Sequence, residues 1–170
     1  MLKKKAMSAA VSFALIGAMT LPAFAAGDLP ISPNQTPLTR AELVSALYEL
    51  EGKPEVSLAA GFTDVSPDDG YADAVGWAAS QGIANGYGNG MFGPDDPVTR
   101  EQTAVILYRY TQSKDQGFTG AWAFPLPYED AEEISGFAYE AICWMTMKDV
   151  MGDTEDNLFR PQEQVTHQDA

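Results

Sequence analysis

The sequence predicts a mainly helical protein assembled from repeated helix-loop-helix units, and three observations lead there. The first is a gapless match between WAASQGIANGYGNGMFGPDDPVTR at 77–100 and WMTMKDVMGDTEDNLFRPQEQVTH at 144–167. It pairs Trp77 with Trp144, Ile83 with Val150, Phe92 with Phe159, Pro94 with Pro161 and Val98-Thr99 with Val165-Thr166. The second is a threonine followed by a basic residue, in LTRAE at 38–42, VTREQ at 98–102 and VTHQD at 165–169, spaced by 60 and then 67 residues. The third is the helical spacing of apolar residues after these motifs.

Taken in order, residues 1–25 read as an export signal rather than as part of the fold. Lys3, Lys4 and Lys5 form a basic start, Ala6 to Met19 is apolar but too short for a bilayer span, and Ala23-Phe24-Ala25 has the A-x-A cleavage pattern. No later run is long and apolar enough to cross a membrane, so no membrane partner is expected after cleavage. A first, incomplete copy of the repeat occupies 26–57, beginning near Ile31-Ser32-Pro33. Its helix has Thr39 as N-cap and Glu42 three residues on, the capping-box pattern in which each side chain takes one orphan backbone N–H. Leu38 and Leu43 are placed to form a hydrophobic staple, and Leu43, Leu47 and Leu50 form the expected buried stripe, flanked by Val44 and Ala46.

The second copy, 58–117, is complete. Tyr71 to Gln81 reads as a first helix with Tyr71, Ala74, Val75 and Ala78 facing the core, and Gly82 closes it where a left-handed residue ends helices. NGYGNG at 85–90 must be a loop. Thr99 and Gln102 repeat the capping box, with Ala104, Leu107 and Tyr108 as core positions. The third copy, 118–170, opens with Tyr128-Glu129-Asp130 in the place of Phe62-Thr63-Asp64 and ends on a weaker box, Thr166 and Asp169. A helix cap followed by one residue has nothing to pack, so the sequence reads as a fragment.

Removing the three signal lysines leaves seven basic against 24 acidic residues, a formal charge of −17. That balance argues against nucleic acid and anionic lipid as partners. The single cysteine, Cys143, lies between Ile142 and Trp144 and reads as a small buried hydrophobe. Asp153, Glu155 and Asn157 alternate as in a calcium loop, but Leu158 stands where such a loop needs glycine, so neither a metal nor a cofactor is assigned.

The order F-x-D-V, W-A, G-I-x-N-G, F-x-P and T-R-x-E or T-R-E-Q resembles the S-layer homology domain, the module by which bacterial surface proteins attach to the cell envelope. The resemblance runs from about Ile31 to the end. It implies a pseudo-threefold, three-lobed arrangement around a central helical bundle, with cell-wall polysaccharide, typically pyruvylated, or peptidoglycan bound in grooves between copies, and self-assembly in a surface layer as a further partnership. It implies an exported, wall-located, non-catalytic protein. The sequence-based alternatives are a calcium-dependent surface-layer assembly protein and a wall-glycan hydrolase.

For the groove, the resemblance nominates Arg40 and Arg100 to meet an anionic sugar carboxylate and Gly86 to let the sugar approach the backbone, with Trp77 and Glu42 as further contacts. Each has a structural alternative. A cation in the first turn of a helix opposes the macrodipole, so Arg40 and Arg100 need a reason, either a ligand or a salt bridge to an acid such as Asp95 or Asp96. Trp77 and its counterpart Trp144 suit a core as well as a sugar platform. Thr39, Thr99, Gln102 and Thr166 are assigned to helix capping, a role Glu42 shares. In the third copy His167 replaces the arginine and Asp153 replaces Gly86, so at most two competent grooves are expected, around Arg40 and Arg100.

Overall fold

The computed structural model describes residues 35–56, 61–119, 124–152 and 156–169. The export signal at 1–25, the opening of the first copy and the calcium-loop acids Asp153 and Glu155 lie outside the described residues. Four helices form: α1 (Arg40–Leu50), α2 (Ala72–Ser80), α3 (Arg100–Gln112) and α4 (Tyr139–Met147), with a 3-10 turn at Ala131–Glu133 before α4. Among the described residues there is no strand, only isolated bridges, so the mainly helical class read from the sequence is the class observed.

Helix starts follow the capping reading. Thr39 accepts from the Glu42 amide while Glu42 accepts from the Thr39 amide, and Thr99 and Gln102 do the same at α3. At the third motif Asp169 accepts from the Thr166 amide, but the described residues that follow form a turn rather than a helix, so Thr166 caps no helix among them. Helix ends follow from local chirality. Gly82, at φ 69°, ends α2. Its amide donates to Ala79, and the Ile83 amide reaches back to Ala78, the bond pair that satisfies the last carbonyls of a helix. In α4 the matching residue is Asp149 at φ 58°, with the same two bonds to Thr146 and Met145. Aspartate tolerates that region better than most side-chain-bearing residues.

Helices of different copies pack together: α1 lies against α2, and α3 against α4. The same aromatic pair makes both joints. Tyr48 of α1 meets Trp77 of α2 with ring centroids 5.7 Å apart, and 60 and 67 residues later Tyr108 of α3 meets Trp144 of α4, also at 5.7 Å. Leu43, Val44, Leu47, Val75, Ala78, Ala104, Leu107, Tyr108 and Ile142 are buried around these joints. Leu50 is not: it is 43% exposed at the last turn of α1, so the stripe read as Leu43, Leu47 and Leu50 stops one turn early. The α1 C-terminus is turned outward by Gly52 and Lys53, both at positive φ, while Tyr110 bonds Glu51 from α3.

The three motif segments meet in one place. Leu38 donates its amide to Val165, Val165 donates to Val98, and Val98 donates to Leu38, at 2.8, 3.0 and 2.9 Å. This closed ring of three main-chain bonds places Leu38, Val98 and Val165 in the core, the first two with a helix cap one residue later. Sequence-distant copies are thereby held by backbone pairing that side-chain choice cannot easily disturb.

A methyl group added at Gly82 would meet open space, so the requirement for glycine there is purely conformational. Gly82→Ala is expected to cost about 1–2 kcal/mol, read as a lower denaturation midpoint, whereas Gly82→Asp stays close to the native value because Asp149 already occupies the matching place.

Candidate functional site

The first turn of each capped helix carries amides with no intrahelical acceptor, and the following copy supplies the acceptors. Arg40 and Ala41 donate their amides to the carbonyls of Asp96 and Pro94, at 2.9 and 3.0 Å. Arg100 and Glu101 donate to Glu163 and Pro161, again at 2.9 and 3.0 Å. His167 donates to Thr36 at 3.1 Å and closes the circuit from the third copy to the first.

The motif arginines extend this joint. Arg40 Nε donates to the Phe92 carbonyl at 2.9 Å and Nη2 to the Asn85 carbonyl at 2.8 Å. Its guanidinium lies over the rings of Tyr87 and Phe92, 4.7 Å from each centroid. Arg100 repeats the pattern on the third copy, donating to Phe159 at 2.6 Å and to Gly152 at 2.9 Å, with its guanidinium 4.9 Å from the Phe159 ring. These donors go to carbonyls rather than to Asp95 or Asp96. The Arg40 side chain is buried, and desolvation lowers its pKa while Tyr87, Asp96 and Asp64 oppose that shift.

The loop that the arginine grips is braced from behind by the aspartate of the F-x-D-V motif. Asp64 accepts from the Phe92 and Gly93 amides at 2.8 and 2.7 Å, and Asp130 accepts from Phe159 and Arg160 at 2.8 and 2.6 Å. Burial works to raise the Asp64 pKa, but the two amides and the charge of Arg40 outweigh it and hold the carboxyl below its ordinary value.

Between the 84–87 loop, one face of α3 and the third copy lies a groove of about 260 Å³. Arg40, Asn85, Gly86 and Tyr87 line one side, Gln102 and Arg109 the other, and Phe137 closes it. Tyr87 is half-exposed with its hydroxyl donating to Asp96 at 2.9 Å, and Phe137 is 63% exposed.

Of the residues nominated from the sequence, Arg40 and Gly86 come together at this groove. Trp77 does not join them: it is buried between Tyr48 and Tyr110. Gly86 has an internal reason to lack a side chain, because a Cβ there would lie 2.5 Å from the Met91 carbonyl and 2.6 Å from the Phe62 ring. Glu42 caps α1 and also meets His167 Nε2 at 3.2 Å. Burial raises its pKa, but the bonds from Thr39 and His167 prevail and lower it.

Sequence reading passed over Arg109, Tyr87 and Phe137, whose signals were a cation on a helix face and two aromatics in polar loops. It also missed Glu101, a buried carboxylate that accepts from the Ser135 amide and hydroxyl and from Gln162, tying α3 to the third copy. Cys143 is buried as expected, and burial raises its thiol pKa. Among the described residues no helix is long and apolar enough to cross a membrane, and no group of three or more His, Cys, Asp and Glu side chains is placed to hold a metal.

Comparison with known proteins bears on the same segments. The family model described as S-layer homology domain matches residues 61–104 and 127–170. The chain is 30% identical over 147 residues, 84% of its length, to an amylopullulanase of Thermoanaerobacterium thermosulfurigenes, of which it covers 8%. It is 33% identical over 89 residues, 52% of its length, to a surface layer protein of Brevibacillus choshinensis, covering 8% of it. Over 54 residues, 32% of its length, it is 43% identical to a cell surface protein of Thermoanaerobacter kivui, covering 7% of it. The chain thus spans under a tenth of the length of each of these relatives.

The lowered carboxyls set the response to acid. Asp64, Glu42 and Glu51 all have folded pKa values below their ordinary ones, so the stability they contribute is present above the unfolded carboxyl pKa of about 4 and lost as pH falls through the folded values. Chemical denaturation is expected to show a stability plateau above about pH 5 and a decline below about pH 4, with a shallower decline in Asp64→Asn.

Proposed function

The chain belongs to the S-layer homology domain family, and from that premise we propose that it anchors an exported protein non-covalently to the cell wall by binding wall polysaccharide in the groove between consecutive copies. The observation that carries this reading is the groove itself. It is open to solvent, combines two exposed rings with amides and cations, and draws its lining from all three copies, Arg40 from the first, the 84–87 loop and α3 from the second and Phe137 from the third. Apolar ring faces beside a few convergent polar groups are what a sugar unit requires of its site.

The place of action is the cell surface. Relatives named surface layer protein, cell surface protein and middle cell wall protein support that location. Others are named for catalysis on polysaccharides, amylopullulanase and exoglucanase among them, and this chain matches 8% and 13% of their lengths. The role assigned to it is attachment rather than catalysis, with a partner segment of the larger protein as cargo. We also infer that copies bounded at 26–57, 58–117 and 118–170 sit about the ring of Leu38, Val98 and Val165 as three lobes. The repeated contacts of Arg40, Arg100 and His167 with the next copy support that arrangement.

In this reading Arg40 and Arg100 hold the walls of their grooves, and Gly86 keeps the 84–87 loop flat against Phe62 so that the groove stays open. Co-sedimentation of the labelled chain with cell walls of its own organism tests the proposal. The chain is expected to pellet with native walls and to remain in solution with walls stripped of their non-peptidoglycan polysaccharide by hydrofluoric acid. Equal binding to stripped walls assigns peptidoglycan as the ligand, and failure to bind native walls removes the anchoring function.

A further inference from the structure

We propose that the joint between the third copy and the first is a pH-sensitive latch, closed when a protonated His167 bridges the Glu42 carboxylate and the Thr36 carbonyl and loosened when the ring is neutral. The other two joints have no such freedom. Arg40 and Arg100 are fixed cations, each spending Nε and Nη2 on two carbonyls of the next copy. At the matching place in the third copy stands the chain's single histidine, the side chain whose charge ordinarily changes between about pH 5 and 8.

The ring is set between two acceptors. Its Nε2 lies 3.2 Å from Glu42 Oε1 and its Nδ1 2.9 Å from the Thr36 carbonyl, with the Thr36 hydroxyl also 3.0 Å from Nδ1. A neutral imidazole carries one N–H and one lone pair. With the proton on Nε2, Glu42 is served and the Thr36 hydroxyl can donate to Nδ1, but the Thr36 carbonyl faces the lone pair. With the proton on Nδ1, the carbonyl is served and the carboxylate faces the lone pair instead. The imidazolium alone donates to both, and the side chain is only 12% exposed, so water does little to replace the missing bond.

The charged groups facing the ring are few. Glu42 comes from α1, its Oε2 capping the helix at 2.8 Å and leaving Oε1 for the histidine. On the third copy's own turn, Asp169 is spent on the Thr166 amide and hydroxyl. The 35–39 segment of the first copy brings no ionisable side chain. Burial raises the Glu42 carboxyl, but the bonds from Thr39 and His167 hold it below its ordinary value, so it stays an anion through the range in which histidine titrates. Because the doubly bonded form is the protonated one, the latch contributes at the acid end of that range and is lost as pH rises.

The latch acts on the backbone seam between the copies. The Thr36 carbonyl also accepts the His167 amide at 3.1 Å, Pro37 bridges to Thr166, and Leu38 donates to Val165 at 2.8 Å within the ring of three bonds. Loosening His167 therefore frees the third copy from the first at one edge of that ring.

Amide hydrogen exchange on the full chain tests this, at about pH 8 and about pH 5.5, with rates corrected for intrinsic exchange. The seam amides Leu38 and His167 are compared with Val75, which bonds to Tyr71 at the start of α2. In the native chain, protection of the seam amides relative to Val75 is expected to rise about twofold to fivefold on acidification, the range of a partly exposed ion pair. His167→Gln is expected to abolish the rise. His167→Arg, the residue of the other two copies, is expected to be protected alike at both pH values. Glu42→Gln keeps the cap, as Gln102 does at α3, and is expected to lose most of the rise. A native chain without the rise, or a rise that survives His167→Gln, overturns the latch, and a full rise in Glu42→Gln overturns the two-acceptor bridge. No wall ligand enters the measurement, so its outcome is separate from that of the anchoring reading.

Discussion

The unsatisfied amides at a helix start are the constraint on which the structure turns. Four N–H groups at each N-terminus need acceptors outside the helix. Here two are answered locally by the capping box, and the two at the first helical positions are answered by the next copy, through Asp96 and Pro94 for α1 and through Glu163 and Pro161 for α3. A helix of 11 or 13 residues is marginal by itself in water, so it forms when the neighbouring copy is in place to receive it. The same dependence makes the copies cooperative. The chain Leu38 to Val165 to Val98 and back means that loosening any one segment opens a bond of both others.

The motif arginine strengthens this joint rather than violating the helix-charge rule. Its charge is directed away from the helix amides, toward two carbonyls and the negative faces of two rings. The Asp64 carboxylate then organises the far side of the gripped loop, so that the loop is held by donors in front and acceptors behind. The groove owes its shape to that brace. Tyr87 is tied into that grip by the Arg40 guanidinium over its ring and by its bond to Asp96, while Arg109 and Phe137 line the groove outside the brace.

Much of this was legible in the sequence because it repeats. Offsets of 60 and 67 residues located the caps and the helices and matched Trp77 with Trp144, though they did not show the tyrosines these pack on, and capping chemistry is local enough to read from four residues. The role of the arginines was not legible. Their acceptors are main-chain carbonyls 45 to 59 residues away, and a carbonyl leaves no mark on a sequence. Gly86 lines the groove as expected from the sequence, but its internal reason was equally illegible, since the atoms that exclude its Cβ belong to Met91 and Phe62. Leu50 satisfied the helical period but sits where α1 leaves the core, a boundary that periodicity does not carry. Glu101 and Arg109 were invisible to repeat logic because their counterparts differ in kind: Ala41 and Glu49 occupy the matching places in α1.

The central claim, that the motif arginine is the tie between copies, is tested most directly by the unfolding free energy of Arg40→Ala from chemical denaturation at neutral pH. Removing two hydrogen bonds donated by a charged group to carbonyls in the core is expected to cost about 2–4 kcal/mol. A change within about 0.5 kcal/mol, the range of an ordinary surface substitution, would contradict the account.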